Sequence, residues 1–176
     1  MESRAQFLGH PVHQILVELP VGAFVFAVTC DTLHTVTRQR AFVPAARLAL
    51  DFGLITATAA APFGLVDWLA IRPGTRAKRV GLVHALGNLV MLGLFTSARA
   101  LRGNRRAAGS AKWLAATGLG VAGVTAWLGG ELINRHGVGV HDLVGEDAPS
   151  SLSRRTEVTS GTQDLGKALI RERSAS

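Results

Sequence analysis

Two stretches of this chain, residues 80–98 and 113–130, contain no charged side chain. They read VGLVHALGNLVMLGLFTSA and WLAATGLGVAGVTAWLGG. A helix crossing a bilayer needs about 20 mainly apolar residues, and both stretches meet that length almost unaided. Neither carries polar residues at the 3.6-residue spacing of a water-facing helix. Neither alternates with period two between turn signals, so strands fit poorly. Two further apolar runs, at residues 11–32 and 45–71, qualify if Glu18 and Asp51 lie inside the protein or near a boundary. The chain therefore reads as all-α, a four-helix transmembrane bundle with helices expected at 11–32, 45–71, 80–101 and 112–134.

Composition agrees with this reading. Charged residues make up 18% of the 176 residues, against about 25% in a typical soluble domain. Small residues line the runs: Ala57, Ala59, Ala60 and Ala61 in the second, Gly87 and Gly93 in the third, and Gly118, Gly120 and Gly123 in the fourth. In lipid, helices associate through close packing, which small side chains permit. Pro20 and Pro62 fall inside helices, where each removes a backbone donor. The connecting loops are short, with Pro73-Gly74 as the turn between the second and third runs, so sequential helices should be antiparallel neighbours. Residues 1–141 form the expected membrane domain. Residues 142–176 are polar, rich in Ser and Thr, and read as a disordered tail. No internal repeat is visible in the sequence.

The formal charge of +7 does not indicate a nucleic-acid binder. The basic residues cluster between the apolar runs, and no zinc-finger, RNA-recognition or helix-turn-helix pattern accompanies them. Cys30 is the single cysteine and reads as a small buried side chain. Neither a signal-peptide nor a lipoprotein cleavage pattern fits the N-terminal run.

Four crossings place both termini and the 72–79 loop on one side, called side A. Its membrane ends carry Arg4, Arg72, Arg76, Lys78, Arg79 and Arg135. The opposite side, B, carries Arg38, Arg40, Arg47, Arg99, Arg102, Arg105, Arg106 and Lys112. Positive residues favour the cytoplasm, so side A is expected outside.

The same topology gathers polar groups near side A. His10 and His13 lie at the start of the first helix, Asp67 near the end of the second, and His84 near the start of the third. Glu131, His136 and His141 lie at and beyond the side A end of the fourth. Glu18 lies deeper, and an ionisable group there is expected to face the bundle interior with a partner. Two neutral imidazoles at similar depth on different helices can ligate a haem iron, and His13 and His84 match best. Asn88, four residues after His84, shares its face and can hydrogen-bond a neighbouring helix or a cofactor. Alternatively His10, His13 and His84 with Asp67 and Glu131 could hold a transition metal. Each residue also has a plainer reading. Histidines at membrane ends meet water, Asp67 pairs with Arg72 or Arg76, and Asp31 and Asp51 pair with Arg47 or other loop arginines. Trp68, Trp113 and Trp127 then serve as interfacial or packing aromatics. No HExxH, CxxCH or P-loop is present, and nucleophilic catalysis has no support because no serine sits in a nucleophile elbow.

Three functions remain open at this stage. One is an electron-transfer module holding haem b or a metal and meeting a redox partner. The second is a structural or partner-binding subunit without cofactor. The third, a proton-coupled transporter, is disfavoured because such folds usually carry repeats.

The segments LGHPVHQILVELPVGAF, GLVDW, KRVGLVHALGN and LGGELINRHGVGV, spread over residues 7–140, resemble a family of bacterial four-helix membrane domains of unknown function. The family pattern falls here on His10, Pro11, His13, Pro20, Asp67, His84, Gly129, Gly130, Gly137 and Val138. The resemblance implies a multi-pass protein of the bacterial plasma membrane. Some members carry a Rieske iron–sulfur domain after the last helix, which implies a redox neighbourhood for the family. This chain has no cysteine beyond Cys30 and so no Rieske centre of its own.

Overall fold

The structure is a computed structural model and describes residues 2–139. The expected tail, residues 142–176, and His141 lie outside the described residues. Four helices dominate: α1 (Val12–Thr37), α2 (Phe42–Ala70), α3 (Arg76–Leu101) and α4 (Ala108–Asn134). All four are long and apolar enough to cross a membrane. Most begin or end about a turn beyond the uncharged runs, within the basic flanks. At 1.5 Å per residue the shortest, of 26 residues, spans about 39 Å, enough for the hydrocarbon and part of the headgroup layer.

A small hairpin precedes α1. Strand β1 (Gln6–Phe7) pairs antiparallel with β2 (His10–Pro11), Gln6 opposite Pro11 and Phe7 opposite His10. Its two turn residues, Leu8 and Gly9, both have positive φ, 50° and 80°. Positive φ at both central positions is the type I′ requirement that suits a two-residue hairpin. Pro11 is therefore the N-cap of α1 and His10 belongs to a strand. His10 thus stands just outside α1 while His13 lies in its first turn. At the other end of the second loop, the Thr75 hydroxyl accepts the Lys78 N–H at 3.2 Å and starts α3.

α1 packs mainly on α2 and α3 mainly on α4. The two helical hairpins meet more sparsely, α2 against α3 and α1 against α4. At their shared centre Phe24 and Phe95 stack with ring centroids 3.8 Å apart and planes 8° from parallel. Around them lie Ala27, Leu50, Met91, Ala98 and Ala115. The outer faces carry Ile55, Leu89, Val90 and Trp127, all more than half exposed, as lipid-facing surfaces should be.

The two hairpins repeat one another, which corrects the reading that the chain has no internal repeat. His13 and His84, Gly22 and Gly93, Phe24 and Phe95, and Ala27 and Ala98 each stand 71 positions apart. Ala46 and Ala111, Gly53 and Gly118, Ala57 and Ala122, and Gly64 and Gly129 each stand 65 apart. Burial and exposure recur at nearly every paired position. The contacts recur too. A Cβ at Gly53 would meet the Phe24 ring at 2.6 Å, and one at Gly118 would meet the Phe95 ring at 3.2 Å. Because α1 and α3 both begin on side A, the halves are parallel repeats about an axis along the membrane normal, passing near the Phe24–Phe95 stack.

A paired-imidazole site near one membrane face

The two histidines at the head of α1 and α3 are held identically. His13 donates from Nδ1 to the carbonyl of Ala60 on α2, at 3.1 Å. His84 donates from Nδ1 to the carbonyl of Thr125 on α4, at 2.9 Å. A carbonyl only accepts, so both rings carry their proton on Nδ1 and, when neutral, a lone pair on Nε2. Each ring lies against a glycine four residues beyond its acceptor. A Cβ at Gly64 would approach Cε1 of His13 to 2.6 Å, and one at Gly129 would approach Cε1 of His84 to 3.3 Å. The small residues of α2 and α4 thus make room for rings as well as backbones.

The symmetry ends at Nε2. Nε2 of His84 accepts the Asn88 side-chain amide at 2.9 Å. The position matching Asn88 is Val17, which has no amide to offer, and Nε2 of His13 has no hydrogen bond to any described residue. His13, Val17, Pro20, Ala60, Asn88 and Met91 line one cavity of about 90 Å³ between α1, α2 and α3. It lies well under the ~300 Å³ at which pockets for drug-sized molecules and cofactors begin. Met91, whose thioether is a soft ligand, was missed from the sequence because a methionine inside an apolar run reads as packing.

The remaining candidates are dispersed. His10 sits exposed in β2. Asp67 is buried, but it accepts the Ser3 hydroxyl at 2.7 Å and the Arg4 backbone N–H at 3.2 Å. It anchors the N-terminal arm, instead of pairing with Arg72 or Arg76. Glu131 pairs with Arg135, one turn on, at 3.3 Å. Among the described residues no group of three or more His, Cys, Asp or Glu is placed to hold a metal ion. Of the joint set of His10, His13, His84, Asp67 and Glu131, the two acids thus have partners of their own, Asp67 in the N-terminal arm and Glu131 in Arg135. Bis-imidazole haem ligation by His13 and His84 would require Nε2 of His84 to leave Asn88. The expectation for Glu18 is corrected. It lies exposed on the outward face of α1, with no ion pair to any described residue.

Side B holds an ionic layer. Asp31 and Arg102, themselves 71 positions apart, form a bidentate pair in which the second bond, Nη1 to Oδ1, measures 2.8 Å. Their side chains are only 8% and 7% exposed. Asp51 pairs with Arg99 at 2.6 Å in a more open position. Arg47 donates to the Arg102 carbonyl at 2.6 Å, and its counterpart Lys112 to the Asp31 carbonyl at 3.4 Å. Lys112 also donates to Thr35 Oγ1 and His34 Nδ1. The acids found loop-side arginines, as expected, although the buried partner is Arg102 and Arg47 takes a carbonyl.

These features define a class: a multi-pass membrane domain of two repeated helical hairpins, with paired imidazoles at one end and a buried ion pair at the other. The chain belongs to the DUF2231 family, described as a predicted membrane protein, whose model matches residues 9–142. No curated protein and no solved structure matches the chain.

Proposed function

We propose that this domain is a membrane-embedded electron-transfer module that holds one transition-metal centre on Nε2 of His13. The observation that carries the reading is the state of that ring. Its proton is committed to the Ala60 carbonyl, its Nε2 has no hydrogen bond to any described residue, and His13 and Met91 both line one small, largely apolar cavity. A histidine ligand whose other nitrogen donates to a backbone carbonyl is the usual support for a metal. Imidazole with thioether suits copper or a haem iron. The cavity volume favours a bare soft ion over a porphyrin. Bound there, such a centre would supply a one-electron redox couple, while the Ala60 carbonyl and Gly64 fix the ring.

The test is an absorption spectrum and metal analysis of the detergent-purified protein. About one metal per chain, lost in His13→Ala, reduced in Met91→Leu and kept in His84→Ala, is the expected result. A Soret band would identify the centre as haem. Colourless, metal-free protein overturns the proposal.

One observation favours a second reading, a cofactor-free structural or partner-binding subunit. Both rings of the pair stitch neighbouring helices through backbone carbonyls, and His84 is fully engaged. On that reading His13→Ala and His84→Ala both lower the melting temperature, His84→Ala the more because it also leaves the Asn88 amide without its partner, and neither changes metal content.

A further inference from the structure

We infer that Asn88 is the selectivity residue of the pair: it closes Nε2 of His84 to ligands, and Val17 at the matching place leaves Nε2 of His13 open. The inference deepens the site reading above and rests on it only for the metal arm of the test. Its geometry stands independently. The two imidazoles have the same tautomer, fixed by the same kind of bond to a carbonyl 47 positions away in one half and 41 in the other. They lie over equivalent glycines, at equivalent depth, on helices with the same burial pattern. Position i+4 after each ring sits on the same helix face, within side-chain reach of Nε2. In one half that position is an amide and in the other a branched hydrocarbon.

The direction of the Asn88 bond follows from the tautomer. Nε2 of His84 can only accept, so the Asn88 amide donates, and the lone pair that would reach a metal is occupied. Any ligand entering there must first break that bond, and water cannot readily replace it in a site facing lipid and hydrocarbon side chains. Asn88 also lines the cavity beside His13. It therefore stands where it both blocks the second imidazole and borders the first.

The reciprocal exchange Asn88→Val and Val17→Asn tests this in the full chain in detergent. The readout is the rate of carbethoxylation of each histidine by diethylpyrocarbonate, followed by peptide mass spectrometry. The reagent attacks an unprotonated, unengaged imidazole nitrogen, and N-acetylhistidine serves as the rate standard. In the wild type His13 should react at least about tenfold faster than His84, the factor expected from one hydrogen bond. Asn88→Val should bring His84 up to the His13 rate. Val17→Asn should slow His13 by a similar factor. Asn88→Leu, which removes the amide and keeps its branched shape, repeats the first arm if the valine variant loses its melting transition. Equal wild-type rates, or an unreactive His84 in a folded Asn88→Val or Asn88→Leu protein, would overturn the inference. Copper content supplies the separate arm. If the labelling pattern holds while no variant binds copper, the metal reading fails and the role of Asn88 stands. If copper binds but labelling ignores the exchange, the reverse is true.

Discussion

The α1–α2 hairpin and the α3–α4 hairpin are built to one plan but share few residues, and a handful of polar differences between them carry what is particular to this protein. Where both halves agree, the residues are small, aromatic or imidazole: His13 with His84, Phe24 with Phe95, Gly53 with Gly118, Gly64 with Gly129. These set the spacing of the helices. Where they disagree, chemistry enters. Val17 faces Asn88, Pro20 faces Met91, Asp31 faces Arg102, Glu18 stands where the second half has Leu89, and Asp67 where it has Leu132. The lesson is that symmetry supplies the frame, and its departures supply the open ring, the thioether near it, the ion pair and the anchor for the N-terminal arm.

The comparison can be broken most severely at Asp31 and Arg102. Removing either partner leaves a buried charge without its counterion, so Asp31→Asn or Arg102→Met should each cost about 3–5 kcal/mol. Because the two positions are mates across the repeat, the double exchange Asp31→Arg with Arg102→Asp should recover most of the loss. Thermal unfolding in one detergent, monitored by circular dichroism, checks both statements, and a swap no better than either single variant would show that the halves are less alike here than the register implies.

Glu18 offers the opposite experiment, restoring a symmetry the protein lacks. A charged side chain within the hydrocarbon costs about 2.5–3.5 kcal/mol at the centre and less near the boundary. Glu18→Leu, which copies Leu89, should therefore raise stability by about 1–2 kcal/mol. An unchanged or lowered melting temperature would mean that the carboxylate is engaged in the membrane.

The glycines sharpen the comparison at finer scale. Gly64→Ala drives a methyl into the His13 ring, which must leave the Ala60 carbonyl, and should cost about 1–3 kcal/mol. Gly129→Ala meets His84 at 3.3 Å, where a shift of a few tenths of an ångström suffices, and should cost under about 1 kcal/mol. Equal losses would show that the second ring is packed as tightly as the first. The smallest effect belongs to Asp51→Asn. Its pair with Arg99 is about 40% exposed on both sides, so the loss should stay under about 1 kcal/mol and shrink in high salt.

Much of this architecture was legible beforehand. Four spans, antiparallel neighbours and the pairing of Asp31 and Asp51 with basic residues at the far end all follow from where charges are missing and where they cluster. The repeat was hidden for a concrete reason. The first hairpin separates its histidine from its acceptor by 47 positions and the second by 41, so no single period aligns both helices. Lipid-facing positions, free to vary among apolar residues, dilute the match further. The polar cluster near side A was inferred from depth along the chain. Depth does not fix azimuth, and so Glu18 turned outward, Asp67 toward the N-terminal arm, and His10 into a hairpin created by two positive-φ residues.

The amino-acid sequence by itself determined the solvent of this protein and hence its class, because uncharged runs of membrane length leave a helix as the only way to satisfy every backbone group. It also determined which residues could do chemistry. Only the tertiary structure decided which of them have a lone pair to offer. That choice depends on whether a neighbouring helix presents a carbonyl, and the next turn an amide or a methyl, to each ring nitrogen, and such angular and ångström-scale relations are properties of packed helices.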